Sequence, residues 1–332
     1  MDGTCAAASF RSCPFASATV RETTTATSFT PAIPLDVSAS RPVGRVYAWR
    51  VRACATVAYC SAWSEIRYLR VGRSDDDFDG DGFGDVVLRD PRGRVFVISG
   101  TSERSPSMVE MIRVPDPATA PHLDPPSFGF GLAKAGDVNG DGYADVVIGD
   151  PGAGGVAYVY LGGRGGLPPS PSFTLENPRG ASDGGFGLSV AGVGDVDGDG
   201  YADVVISAPY QNEVFVYRGG SAGVVDVPAL TIPRASAVST LVAGAGDVDG
   251  DGYPDVLLSV PSRGEVFLHL GGAAGLANSP ARELRAPGDF AFWGLIGAAG
   301  DINGDGYSDF AVWSTEEPVV EVFLAQDPTH RR

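Results

Sequence analysis

Lysine, histidine and cysteine are scarce in this chain, and long apolar runs are missing altogether. Of 332 residues, one is lysine (Lys134) and three are histidine: His122, His269 and His330. None of the three neighbours a Ser or Cys nucleophile in sequence, and nucleophile-elbow, phosphate-loop and dinucleotide-binding fingerprints are absent. The enzyme classes that depend on those motifs are therefore disfavoured. No apolar run approaches the roughly 20 residues that span a bilayer, and no window sustains helical periodicity. The chain carries neither a membrane-spanning segment nor an evident helical core. It also lacks Arg-Gly-Asp, the tripeptide that would mark it as an integrin ligand.

All four cysteines, Cys5, Cys13, Cys54 and Cys60, fall in the first 60 residues. Their spacings do not suit a zinc knuckle and no histidine lies nearby, so they read as disulfides stapling a small region in an oxidising compartment. The start, Met-Asp-Gly-Thr-Cys, has neither a basic n-region nor an apolar h-region. Disulfides without a visible export signal lead to the expectation of a truncated N-terminus and an extracellular or cell-surface location.

Turn residues and acids are abundant. The 46 glycines and 25 prolines punctuate short apolar runs, the pattern of an all-β protein. The formal net charge is −17, which disfavours nucleic acid and anionic membranes as partners. The acids are clustered rather than spread, so cations are the expected counterpart.

Residues 1–72 differ from the rest. Arg45 to Ala53 alternates, with Tyr47, Trp49, Val51 and Ala53 on one face and Arg50 and Arg52 on the other, as in a half-buried strand. A second strand is expected at Glu65 to Val71, with a Cys54–Cys60 bridge between the two. Tyr47-Ala48-Trp49-Arg50-Val51-Arg52-Ala53 followed by Cys60-Ser61-Ala62-Trp63-Ser64 resembles the last two strands of a fibronectin type III domain. The resemblance makes Tyr47 the corner tyrosine of a partial sandwich.

From residue 73 to the end the chain repeats. The loops are Asp-Phe-Asp-Gly-Asp-Gly-Phe-Gly-Asp at 77–85, Asp-Val-Asn-Gly-Asp-Gly-Tyr-Ala-Asp at 137–145, and Asp-Val-Asp-Gly-Asp-Gly-Tyr-Ala-Asp at 195–203. Asp-Val-Asp-Gly-Asp-Gly-Tyr-Pro-Asp follows at 247–255 and Asp-Ile-Asn-Gly-Asp-Gly-Tyr-Ser-Asp at 301–309. The steps between them are 60, 58, 52 and 54 residues, the size of a propeller blade. Each loop leads into an apolar run (Val86–Leu88, Val146–Ile148, Val204–Ile206, Val256–Leu258, Phe310–Val312) and then a second strand.

Calcium takes six to eight oxygen ligands from a compact, flexible loop, and magnesium prefers to keep its waters. The loops offer side-chain oxygens at positions 1, 3, 5 and 9 and a backbone carbonyl at position 7. The expected ligands are therefore Asp77, Asp79, Asp81, Phe83 and Asp85; Asp137, Asn139, Asp141, Tyr143 and Asp145; and Asp195, Asp197, Asp199, Tyr201 and Asp203. Asp247, Asp249, Asp251, Tyr253 and Asp255 form the fourth set, and Asp301, Asn303, Asp305, Tyr307 and Asp309 the fifth. An EF-hand needs Glu at position 12 and an exiting helix. Position 12 here is Leu88, Ile148, Ile206, Leu258 or Val312, so that reading fails. Hairpin turns alone would explain one Asp-Gly loop but not five. The loops hold 18 of the 41 acidic residues, and five divalent ions would bring the formal charge from −17 to −7. The loops with Asn139 and Asn303 have one carboxylate fewer and are expected to bind more weakly.

Phe186-Gly187 ahead of Asp195, with Ile206-Ser207-Ala208-Pro209 after the loop, resembles the FG-GAP repeat of integrin α-subunit β-propellers. Phe128-Gly129 and Asp150-Pro151 match in the second repeat. The fourth has Val238-Ser239 at the Phe-Gly position but keeps Val260-Pro261; the fifth has Phe292-Trp293 and Ser314-Thr315. The first lacks the preceding strand. The resemblance implies an all-β fold, a β-propeller of FG-GAP repeats with about five blades, beside a small disulfide-bearing β-sandwich remnant. Two strand exchanges are expected at the ends: Arg67–Val71 supplying the edge of the first repeat, and ring closure from strands of both termini. The resemblance further implies a calcium-binding, non-catalytic adhesion module for an extracellular protein or glycan. Its alternative is the non-catalytic propeller of a larger extracellular hydrolase or lyase.

Overall fold

The computed structural model describes residues 45–49, 54–56, 59–60, 67–71, 76–101, 109–112 and 319–325, and 127–314 apart from 153, 181–184, 234–239 and 286–292. Cys5, Cys13, His122, His330, Val238-Ser239 and Phe292 lie outside them.

Among the described residues, every regular element other than short 3-10 turns is a β-strand. In the N-terminal part, β1 (Arg45–Trp49) pairs antiparallel with β4 (Arg67–Val71), and β2 (Cys54–Thr56) with β3 (Tyr59–Cys60). The register sets Cys54 opposite Cys60, as the expected bridge requires. The expected loan of Arg67–Val71 to the first repeat is not seen among the described residues, where that strand pairs along its whole length with β1 in a separate two-stranded sheet. The rest of the sandwich and the environment of Tyr47 lie outside the described residues.

Five antiparallel sheets follow, one per Asp-rich loop. The first holds β5 (Val86–Arg89), β6 (Val95–Ile98) and β7 (Val109–Ile112). The second is β8 (Leu132–Gly136), β9 (Asp145–Asp150), β10 (Val156–Tyr160) and β11 (Phe173–Glu176). The third is β12 (Val190–Gly194), β13 (Asp203–Ala208), β14 (Glu213–Tyr217) and β15 (Leu230–Pro233). The fourth is β16 (Leu241–Gly246), β17 (Asp255–Val260), β18 (Glu265–His269) and β19 (Arg282–Arg285), and the fifth is β20 (Trp293–Gly300), β21 (Asp309–Ser314) and β22 (Val319–Phe323). Each is a meander of neighbouring strands, the construction of a propeller blade.

The residues explain the layering. Strands β9, β13 and β17 are buried at every position. Runs such as Asp-Val-Val-Ile suit a strand covered on both faces, with β-branched side chains packing above and below. The strands preceding the loops are rich in Gly and Ala because they stand nearest one another. A Cβ on Gly192 in β12 would lie 2.6 Å from the Cα of Ala135 in β8. Four apolar clusters fill the spaces between successive sheets, joining for example Val147 and Val159 of the second to Val204 and Tyr217 of the third.

The Phe-Gly motifs serve this packing. Phe186 is buried against Phe215, with ring centroids 5.7 Å apart, and the Gly187 N–H donates to the Ser207 carbonyl at 3.0 Å. The fourth sheet, whose sequence lacks Phe-Gly, nevertheless has all four strands, with Val256, Leu258 and Phe267 in the apolar cluster against the third sheet. The sheets do not close into a ring. Among the described residues the expected sharing of strands between the ends is not found: β5 and β22 belong to separate three-stranded sheets, with no strand described before the first loop in the one or after β22 in the other.

Candidate metal centres

Each loop folds around its own carboxylates. Glycine occupies positions 4 and 6 and has positive φ at both in all five loops, 71–75° at position 4 and 89–99° at position 6. These are conformations that a Cβ disfavours, and they turn successive N–H groups inward. In the third loop the Asp195 carboxylate accepts from Asp199 N–H at 2.9 Å and Gly200 N–H at 2.7 Å, and Asp197 accepts from Asp199 N–H at 3.1 Å. Asp199 in turn accepts from Tyr201 N–H at 3.1 Å. The position-5 acid accepts from the position-7 N–H in every loop, at Phe83, Tyr143, Tyr201, Tyr253 and Tyr307.

Three loops converge their carboxylates. Oxygens of Asp77, Asp79 and Asp85 lie within 4.8 Å of one another, as do those of Asp195, Asp197 and Asp199, and those of Asp247, Asp249 and Asp251. Like charges at this range repel strongly unless a cation or protons intervene. The Asp195 carboxyl is pushed up to about 7, mainly by burial, with the charges of Asp199 and Asp197 acting in the same direction. Asp77, Asp247 and Asp249 are also raised, burial being the largest cause in each. The Oδ1 atom of Asp247 is buried and accepts no hydrogen bond among the described residues. A buried anionic oxygen facing two more carboxylates fits a hard divalent cation.

The other two loops are the ones carrying asparagine. Asn139 Nδ2 donates to Asp141 at 2.9 Å, and Asn303 Nδ2 donates to Asp305 at the same distance. The amide thus occupies the position-5 carboxylate from within. The fifth loop is also open to solvent from Asp301 through Gly306.

Position 9 differs from the rest. Both oxygens of Asp203 accept backbone N–H groups, from Val196 at 2.9 Å and Gly219 at 3.0 Å. Asp85, Asp145, Asp255 and Asp309 do the same with Phe78 and Gly100, Val138 and Gly162, Val248 and Gly271, and Ile302 and Ala325. This acid pins the start of its loop to the end of the second strand. Only Asp85 also joins a carboxylate cluster; Asp203 and Asp255 stand outside theirs. Burial drives Asp145 and Asp203 well above the usual carboxylate range, and brings Asp255 to about 7 and Asp85 to about 6.

Sequence reasoning missed the partners of these pins, although a signal was present. Gly162-Gly163, Gly219-Gly220 and Gly271-Gly272 follow the second strand in three repeats. The first glycine of each pair binds its own loop's position-9 acid. The second donates to the preceding loop, at the carbonyls of Phe78, Val138 and Val196, over 2.9–3.0 Å. Ala144, Ala202 and Ser308 N–H groups reach the carbonyls of Asp77, Asp137 and Asp247 in the same way. The loops therefore stand side by side along one rim. Arg218 was missed too: its guanidinium lies 2.9 Å from Asp197 in the third loop.

A family model described as FG-GAP-like repeat matches residues 137–206, 195–258 and 247–312, which together run over more than half of the 332 residues. The chain belongs to the FG-GAP repeat family. Each match runs from one Asp-rich loop to the buried strand after the next, so the FG-GAP unit takes in the loop and the interface between two sheets. The chain is 33% identical over 148 residues to integrin alpha-3 of Cricetulus griseus, covering 40% of this chain and 14% of that one. It is 30% identical over 226 residues to integrin alpha-PS2 of Drosophila melanogaster, covering 60% and 16%, and 35% identical over 144 residues to integrin alpha-7 of Rattus norvegicus, covering 40% and 12%. It thus spans no more than 16% of the length of these relatives. Among the described residues, no helix is long and apolar enough to cross a membrane.

Proposed function

We propose that this FG-GAP chain is a calcium-dependent, non-catalytic adhesion module that works outside the cell, binding a protein or glycan. The observation that carries the reading is the row of Asp-rich loops, hydrogen-bonded one to the next along a single rim, three of them with converging carboxylates. Calcium is the ion whose ligand preference the loops suit. Asp77, Asp79 and Asp85 would hold one ion, Asp195, Asp197 and Asp199 a second, and Asp247, Asp249 and Asp251 a third. The loops with Asn139 and Asn303 are weaker sites. The metal's contribution is charge neutralisation and rigidity: it fixes the rim that presents the binding surface. The integrin alpha relatives support the adhesion class, and the facing Cys54 and Cys60 suit an oxidising compartment.

A ligand bound only by the folded state raises stability by RT ln(1 + [L]/Kd). Melting in millimolar calcium should occur well above melting in chelator, and Asp195, Asp197 and Asp199 replaced together by Asn should remove about one ion from a calorimetric count. Identical melting curves in the two buffers overturn the metal assignment. For the partner, binding to a glycan and matrix-protein array should appear in calcium and vanish in chelator. An array without calcium-dependent signal overturns the adhesion reading and leaves the metal sites standing.

A further inference from the structure

Tyr253 belongs to the fourth loop but touches the third. A Cβ on Gly198 would lie 2.6 Å from the Cε1 atom of its ring, so the buried ring rests on the backbone of that glycine. Gly198 stands between Asp197 and Asp199, two members of the third carboxylate cluster. Pro254 packs in the same way: a Cβ on Gly194, the residue ahead of Asp195, would lie 2.9 Å from the proline Cγ. The glycine pair after β18 makes a further link. Gly271 N–H donates to Asp255 at the end of the fourth loop at 2.9 Å. Gly272 N–H donates over the same distance to the carbonyl of Val196, between Asp195 and Asp197.

Positions 253 to 255 of the fourth loop thus hold, directly or through the glycine pair, the backbone beside every carboxylate of the third cluster. Both loops lie inside the array, with the second loop bonded to the third and the fifth to the fourth. The fifth loop holds the fourth in a related manner, with the Tyr307 ring on Gly250 and Ser308 N–H on the Asp247 carbonyl at 2.7 Å. Between the third and fourth loops that last hydrogen bond has no counterpart, because position 8 is Pro254, which has no N–H to give. More of the contact there falls to the Tyr253 ring.

We propose that the third and fourth loops take up calcium cooperatively, with Tyr253 as the positioning residue that couples them. The inference rests on the metal reading of the loops given above. Ordering a loop around an ion costs conformational freedom, and a loop already held in shape binds without that cost. Tyr253 would give its carbonyl to the fourth ion while its ring holds Gly198 of the third loop. Ordering either loop therefore orders the other, and the coupling is reciprocal. Repulsion between cations in neighbouring loops opposes this. Physiological salt, with a Debye length of about 8 Å, weakens that repulsion but not the packing.

Calcium titration followed by calorimetry tests it, in a chain carrying Asp77→Asn and Asp79→Asn so that the first cluster takes no ion. The third and fourth sites should fill together with a Hill coefficient of about 1.5, the value that a roughly tenfold coupling gives for two sites. The loops with Asn139 and Asn303 fill later, at higher calcium. Tyr253→Ala removes the ring, keeps the carbonyl and alters no charge. It should lower the coefficient to about 1 and raise the midpoint about threefold, the square root of that coupling. Tyr253→Phe, which keeps the ring, should retain the parent coefficient. Two ions bound independently in the parent chain overturn the coupling and leave the metal sites standing. A Tyr253→Ala chain no less cooperative than Tyr253→Phe overturns it as well. Should Tyr253→Ala lose an ion altogether, the coefficient of the parent chain still decides. A parent chain that takes up no ion overturns the metal reading, and this inference with it.

Discussion

At the scale of single residues, the loop acids divide into two roles. Position 9 gives both oxygens to backbone donors, whereas positions 1, 3 and 5 fold the loop and face one another. Asp203→Ala strands the buried N–H groups of Val196 and Gly219, each lost acceptor costing about 1–3 kcal/mol. Denaturant unfolding in chelator should show a loss of about 2–6 kcal/mol. Asp199→Ala, which removes the acceptor of the part-buried Tyr201 N–H, should cost less than Asp203→Ala in chelator yet abolish metal binding in that loop. Equal losses for the two variants would show that position 9 has no special structural part. Arg218 supplies a further test, since its guanidinium competes with a metal for Asp197. The arginine is half-exposed and the pair is worth at most about 1 kcal/mol, so Arg218→Ala should tighten calcium binding in the third loop by about two- to fivefold. Unchanged or weaker binding by calorimetry contradicts that competition. The acids themselves were legible in sequence because their spacing is the chemistry. Which of them fold the chain was not read, because for Asp203 the partner donors are backbone groups 7 residues earlier and 16 further on, marked in sequence only by a glycine pair.

At the scale of the loop, burial and mutual repulsion set the pH response. Asp195 and Asp255 have pKa values near 7 and Asp85 near 6, all raised first by burial. A carboxyl whose folded pKa lies above its unfolded value of about 4 favours folding below that value, and the contribution is lost as pH rises through the folded pKa. The metal-free protein should therefore become less stable as pH climbs from about 4 to about 7, most steeply between the unfolded and folded values, near 5 to 6, and should level off above about 7 to 8. Calcium would neutralise Asp195 and Asp85 but not Asp255, which stands outside its cluster, so the loaded protein should lose less stability over that interval, and binding should weaken as pH falls below about 7 because protons compete. Melting series with and without chelator check both slopes; a metal-free form that gains stability towards pH 8 contradicts the assignment. The strands around the loops were legible from their apolar runs, and the fourth sheet formed even without Phe-Gly. The pairing of Arg67–Val71 was not legible, because a short amphipathic strand can complete either of two neighbouring sheets and its sequence does not name which.

For the whole molecule, the row of sheets behaves as a one-dimensional stack in which each blade is stabilised by the neighbours on its two faces. The number of repeats was plain in the sequence. Closure was not, because it depends on whether the end faces find each other, and the residues of an end face look the same in sequence as those of an interior one. Val312 and Val320 are both valines on strands of the fifth sheet; one is fully buried against the fourth sheet and the other is open to solvent. Local stability should follow neighbours rather than composition. In hydrogen exchange at low protein concentration, amides of β13 and β17, with sheets on both sides, should exchange slowest. Those of β5 and β21, each with a sheet on one side, should exchange at least tenfold faster despite equally apolar sequences, since a tenfold difference needs only about 1.4 kcal/mol of local opening energy. Uniform protection along the five sheets at low concentration would mean that the array unfolds as one unit, and that its end faces are covered within a single chain.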